Sequence, residues 1–248
     1  MEQYLIVCPF VFLAGFVDSI AGGGGLIAFP AYLLAGVPMH VILGTSKLSA
    51  FPGSIVAAAR FAKSGHVRWR LALPCGAAAA VGAVFGAGIA LHVSERLIES
   101  LLLIVLPVVA FYVLRNKGLG EEETADRLPW VKMLTLGILS SLVIGMYDGF
   151  YGPGTGTFLI LVLSGLVKLG MKDAAGIAKF VNLSADIAAL CTFSASGKVN
   201  FALGITAAVF CMVGSYIGSG LVVNNGQKIV RPVVLTVLGL LFLKMIFG

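Results

Sequence analysis

The sequence predicts an all-α, polytopic membrane protein made of two homologous repeats of about five helical segments each, eight to ten segments in total. Each repeat carries a Gly-rich broken or re-entrant helix unit. Three observations lead there: the composition, a motif written twice at a nearly constant offset, and one short apolar segment in each copy. Of the 248 residues, 59% are hydrophobic and only 11% are charged, and the mean hydropathy is +1.03. An average soluble domain holds about 25% charged residues. A chain this apolar faces lipid over much of its surface, so the expected location is the cell (inner) membrane, crossed several times, with the bilayer as its first partner.

The first apolar segment, 4–20, runs into "GFVDSIAGGGGLIAFP" (Gly15–Pro30). A secretory signal would start with basic residues, but the early charge is Glu2. The motif also returns in mid-chain as "GMYDGFYGPGTGTFLI" (Gly145–Ile160), with Asp148 on Asp18 and Gly152 and Gly154 on Gly22 and Gly24. At a shift of 132, "GTSK" (Gly44–Lys47) meets "GIAK" (Gly176–Lys179), and "VGAVFGAG" (Val81–Gly88) meets "VGSYIGSG" (Val213–Gly220). Duplicated halves are a common plan of secondary transporters. The second segment, 26–37, is too short to cross: at ~1.5 Å per residue it spans about 18 Å of a ~30 Å core. Segments 41–62, 71–92 and 97–114 complete repeat 1 (1–114). A hydrophilic linker (115–132) follows. Repeat 2 (133–248) holds segments 133–150, 156–167, 174–195, 201–223 and 229–247.

Basic residues set the orientation. If each Gly-linked pair returns to its starting side, the halves are inverted. Twelve Lys and Arg then share one side (Arg60, Lys63, Arg68, Arg70 and the linker residues among them), against Arg96, Lys198 and Lys244 on the other. If each pair makes one crossing, the count is ten against five. The inverted arrangement has the stronger bias. It puts the linker in the cytoplasm and both termini outside.

A break such as "AGGGG" is tolerated at membrane depth only where it is buried in protein or lines a wet cavity. Glycine admits positive φ and close approach, and the helix that follows offers amide donors and a positive dipole end to an anion. Gly22, Gly23, Gly24 and Gly25 in the first half, and Gly152, Gly154 and Gly156 in the second, are therefore candidate substrate contacts, with Thr155 and Thr157 adding hydroxyls. Close packing explains the glycines of Gly82–Gly88 and Gly214–Gly220 better. Asp18, Asp148 and Asp186 are the acids inside apolar segments; they either couple transport or brace the helix breaks. Lys47 and Lys179 occupy matching positions. They either snorkel or contact substrate, and Lys179, Asn182 and Asp186 share a helix face that is expected to meet the Gly tip of its own half.

Cys8, Cys75, Cys191 and Cys211 are isolated, as are His40, His66 and His92, so neither a metal nor a disulfide is indicated. No cofactor is expected. The +6 net charge lies mostly in loops and reads as membrane anchoring, not nucleic-acid binding. No Walker A motif is present, so ATP drive is not expected; coupling is to an ion gradient, with the proton as the candidate, or is absent. A homo-oligomer stays open.

At these residues the chain resembles the sulfite exporter TauE/SafE family of membrane permeases. The resemblance rests on the two Asp-Gly motifs and the "GTSK" and "GxxxK" positions, and covers nearly the whole chain. It implies a non-enzymatic permease for a small anion, most simply sulfite or an organosulfonate, with another organic anion as the alternative. An intramembrane aspartyl protease would need two carboxylates sharing a proton, and no G-x-G-D occurs. A non-transporting membrane sensor would not need duplicated breaks.

Overall fold

The structure is a computed structural model that describes residues 2–94, 96–97, 100 and 128–225. Within them lie eight helices and no strand: α1 (Glu2–Ala21), α2 (Gly25–Leu34), α3 (Met39–Lys63), α4 (Trp69–Ala90), α5 (Trp130–Phe150), α6 (Thr155–Gly165), α7 (Met171–Ala195) and α8 (Phe201–Asn225). Six are long and apolar enough to cross a membrane, whereas α2 and α6 have 10 and 11 residues. Segment 229–247 lies outside the described residues, as do nearly all of 97–114 and most of the linker. Helix α5 begins at Trp130, after Pro129 (φ −52, ψ 140), within the last residues of the hydrophilic stretch.

Both glycine motifs break the chain as backbone sterics require. Gly22 turns to φ +77 after α1, with its N–H donating to Asp18 O at 2.7 Å. Gly152 (φ +98) and Gly154 (φ +88) do the same between α5 and α6. These are left-handed conformations that cost a side-chain-bearing residue about 1–2 kcal/mol. The first unit is a hairpin: Gln3 Nε2, at the start of α1, donates to Ala35 O, at the end of α2, at 3.0 Å. So α2 returns the chain to the level where α1 began.

Small residues weld the long helices into two parallel sets. In the first, Gly214 and Gly218 of α8 lie against the Phe12 and Phe16 carbonyls of α1, leaving no room for a Cβ. The same α8 packs along α3, where a Cβ on Gly204 would stand 2.7 Å from Leu48 and one on Gly53 2.9 Å from Cys211 Sγ. In the second set, Gly82 and Gly86 of α4 abut the Leu142 and Met146 carbonyls of α5, and α4 also packs on α7. Set one is therefore α1, α3 and α8, and set two is α4, α5 and α7. The sets run in opposite directions: Gly44 near the start of α3 touches Lys198 just past α7, while Gly176 near the start of α7 touches His66 just past α3. Each half of the chain thus lends its fourth helix to the other half's set. Outward faces carry Leu73, Val81 and Phe85 on α4, Val143 on α5, and Ile205 and Val209 on α8, all exposed. This apolar surface accounts for the composition of the chain.

Candidate functional site

The buried charges meet where α3 crosses α7. Lys47 Nζ donates to Asp148 Oδ2 at 2.6 Å and to Asp186 Oδ1 at 2.9 Å. Lys179 Nζ donates to Asp18 Oδ2 at 2.7 Å and also to the Asp18 carbonyl. Lys47, Lys179, Asp148 and Asp186 are all buried, Lys179 with 1% of its surface exposed. Neither lysine snorkels. A lone buried ammonium would be very costly, and each is matched here by carboxylate.

The pairs are crossed, which corrects the expectation that each polar stripe meets the Gly tip of its own half. Lys47 reaches the second break, where a Cβ on Gly152 would stand 3.1 Å from its Nζ, and Lys179 reaches the first. The cause is the antiparallel α3–α7 crossing, which aims each long side chain at the opposite set. Every lysine–aspartate pair here therefore joins set one to set two.

The two tips also touch each other. A Cβ on Gly22 would stand 2.5 Å from Gly156 Cα, and one on Gly156 the same distance from Gly22 Cα. Gly25 faces Pro153, with 2.9 Å from a Cβ to Pro153 Cα. Gly23 differs in its space: its φ, like those of Gly24 and Gly25, is not left-handed, and a Cβ there meets nothing nearer than Leu26 Cδ1 at 3.7 Å. The four glycines are thus not equivalent.

A cavity of about 60 Å³ opens beside the pairs. Of the residues singled out from sequence, Gly22, Gly24, Gly25, Lys47, Gly152, Gly156 and Asn182 line it, together with Asp18, Asp148 and Asp186. Gly23, Gly154, Thr155, Thr157 and Lys179 are not in the lining. Gly154 shapes the turn, and the Thr155 hydroxyl donates to Gly152 O at 2.6 Å. That hydrogen closes the break and does not point at the cavity. Thr157 is buried beside Gly23. Asp18 also braces its own break, accepting the Gly24 N–H on Oδ1 at 3.3 Å, while Asp148 turns to Lys47.

Several contributors were not read from the sequence. Ser46, Ser49 and Ser215 line the cavity, and the Tyr32 hydroxyl donates to Ser49 Oγ at 2.9 Å, tying α2 to α3. The Tyr147 hydroxyl donates to Pro153 O at 2.6 Å and stitches the second break. Ser46 and Ser49 could have been found, since they flank Lys47 on α3; nothing local marks Ser215 on α8 or Tyr147. No cluster of His, Cys, Asp or Glu among the described residues could hold a metal.

The whole-chain comparisons agree with one another. Residues 7–245 match the family model of the sulfite exporter TauE/SafE. A probable membrane transporter protein, ORF9, of a Sinorhizobium species is 37% identical over 227 residues, covering 91% of this chain and 85% of that protein. The probable membrane transporter protein YfcA of Escherichia coli is 34% identical, covering 95% and 86%. A probable membrane transporter protein of Haemophilus influenzae is 31% identical, covering 95% and 91%. No solved structure matches.

Proposed function

Because the chain belongs to the sulfite exporter TauE/SafE family and is a multi-pass membrane transporter, we propose that it moves a small oxyanion, sulfite or an organosulfonate, through the cavity between the two helix sets. The observation that carries this reading is the placement of Lys47, fully inside the protein, at a cavity lined by both glycine breaks. Lysine is a compact point charge that suits a small oxyanion. The starts of α2 and α6 converge there and add the positive ends of two helix dipoles. A cavity of about 60 Å³ has room for a few atoms only, and favours a small headgroup over a bulky substrate.

In this arrangement Asp148 and Asp186 occupy Lys47, so an incoming anion competes with a carboxylate for the ammonium. Entry of substrate and release of a carboxylate are then one exchange, and protonation of the released acid couples the substrate to protons. Because the lysine–aspartate pairs bridge the two sets, loosening them frees one set to rock against the other, as alternating access requires. The antiparallel crossing of α3 and α7 and the twelve-against-three charge bias together favour inverted halves, with the linker in the cytoplasm.

The test is uptake by purified protein in liposomes across a panel of sulfite, sulfonates, sulfate and carboxylates. Saturable sulfite or sulfonate uptake, absent from empty liposomes, is the expected result. Uptake confined to carboxylates would replace the substrate by another organic anion, and no uptake of any panel member would overturn the reading.

A further inference from the structure

The site is not symmetric, and its odd member is Asp186. At the shift that aligns the halves, Lys47 stands on Lys179, but Asp186 stands on Ser54 and Asn182 on Ala50. Asp18 and Asp148 each answer one lysine of the opposite half. Asp186 is a third carboxylate with no counterpart. Its two neutral partners are Asn182 Nδ2 at 2.9 Å and the Ser54 hydroxyl at 3.4 Å, both on Oδ2. With the acids ionised and the lysines charged, three carboxylates against two ammoniums leave one uncompensated negative charge, held inside the membrane domain.

We propose that Asp186 is the residue that carries the co-transported proton, one proton per monovalent anion. This rests on the oxyanion-transport reading and specifies its coupling. When the anion takes the place of Asp186 on Lys47, the freed carboxylate would be a bare buried charge, costly inside a membrane protein. Protonation removes that charge. Asp186 is suited to the exchange because Ser54 and Asn182 can hold the neutral acid as well as the carboxylate, a hydroxyl being donor and acceptor alike. Asp148 is held by Lys47, whose Nζ donates to its Oδ2 at 2.6 Å. The charged or ionisable groups near Asp186 are Asp18 from α1, Lys47 from α3, Asp148 from α5 and Cys211 from α8; α6 carries none. One proton and one monovalent anion enter together, so the loaded and empty sites bear the same charge.

The test uses liposomes holding a trapped pH dye, with isethionate as probe, because its sulfonate stays singly charged near neutral pH. Wild-type protein should acidify the lumen as isethionate enters, and a gradient of about one pH unit should drive about tenfold accumulation. Asp186→Asn should still exchange internal for external isethionate, which also shows that it is folded. It should move no protons and accumulate isethionate no more than about onefold. Asp186→Ser, which restores the residue of the other half, should behave alike if the Asn variant fails to insert. Isethionate entry without acidification by the wild type, or proton-driven accumulation retained by either variant, overturns the proposal and leaves the oxyanion reading standing. Failure of the wild type to move any anion of the wider panel overturns both.

Discussion

Replacing Gly22 by Ala should disable transport, while the same change one residue later should not. Gly22 has φ +77, a conformation costing Ala about 1–2 kcal/mol. The new Cβ would also stand 2.5 Å from Gly156 Cα. The Gly156 carbonyl carbon and the Thr157 nitrogen lie closer still, so relieving every contact to an ordinary 3.4 Å separates the two tips by about 1.2 Å, and overpacking of this kind costs about 1–3 kcal/mol. The sum is about 2–5 kcal/mol, delivered where the two breaks meet. At Gly23 the nearest atom would be 3.7 Å away and φ is not left-handed; Gly→Ala at such a site is neutral or stabilising by up to about 1 kcal/mol. Thermal unfolding in detergent and labelled sulfite flux in liposomes should separate the two variants clearly. Equal loss of flux in well-folded Gly22→Ala and Gly23→Ala proteins would refute the argument from space and backbone conformation.

The helix sets give a second contrast: Gly86→Val should lower stability by about 1–3 kcal/mol, because the Met146 carbonyl fills the space. Gly88→Val, with nothing within 4 Å, should shift the melting temperature little. Asp173→Asn removes an ion pair to Arg68 and a contact with His66 on a part-exposed surface; it should cost under about 1 kcal/mol in unfolding assays and preserve flux. A single cysteine at Thr124, in a cysteine-free background, should react with a membrane-impermeant reagent only from the cytoplasmic side; labelling from outside alone would reverse the orientation.

Much of this architecture was legible because membrane burial leaves strong marks. Four consecutive glycines and a repeated Asp-Gly motif announce a break in any apolar helix, and the short α2 and α6 were visible from length alone. The partners of Lys47 and Lys179 were not. Spacing places Lys179, Asn182 and Asp186 on one face but says nothing of what that face meets, and the antiparallel crossing of α3 and α7 inverts the simple guess. The glycine run looked uniform for the same reason: which glycine needs positive φ depends on where the chain turns. The Thr155 hydroxyl looked free in sequence because its acceptor, Gly152 O, exists only once the turn has formed.

The central claim is that Lys47, the buried lysine at the cavity, holds the substrate, and the most direct measurement is a sulfite titration of purified Lys47→Ala in detergent, beside Lys179→Ala, whose lysine lies outside the lining. A charged hydrogen bond is worth about 1.5–3 kcal/mol, so Lys47→Ala should bind about 10- to 100-fold more weakly. Lysine-to-arginine variants should rescue poorly, because the planar guanidinium is differently aimed. Asp148→Asn, which removes a competitor for Lys47, should bind at least as tightly as wild type. Unchanged affinity in Lys47→Ala, with Asp148→Asn weakened instead, would contradict the account and move the anion away from Lys47.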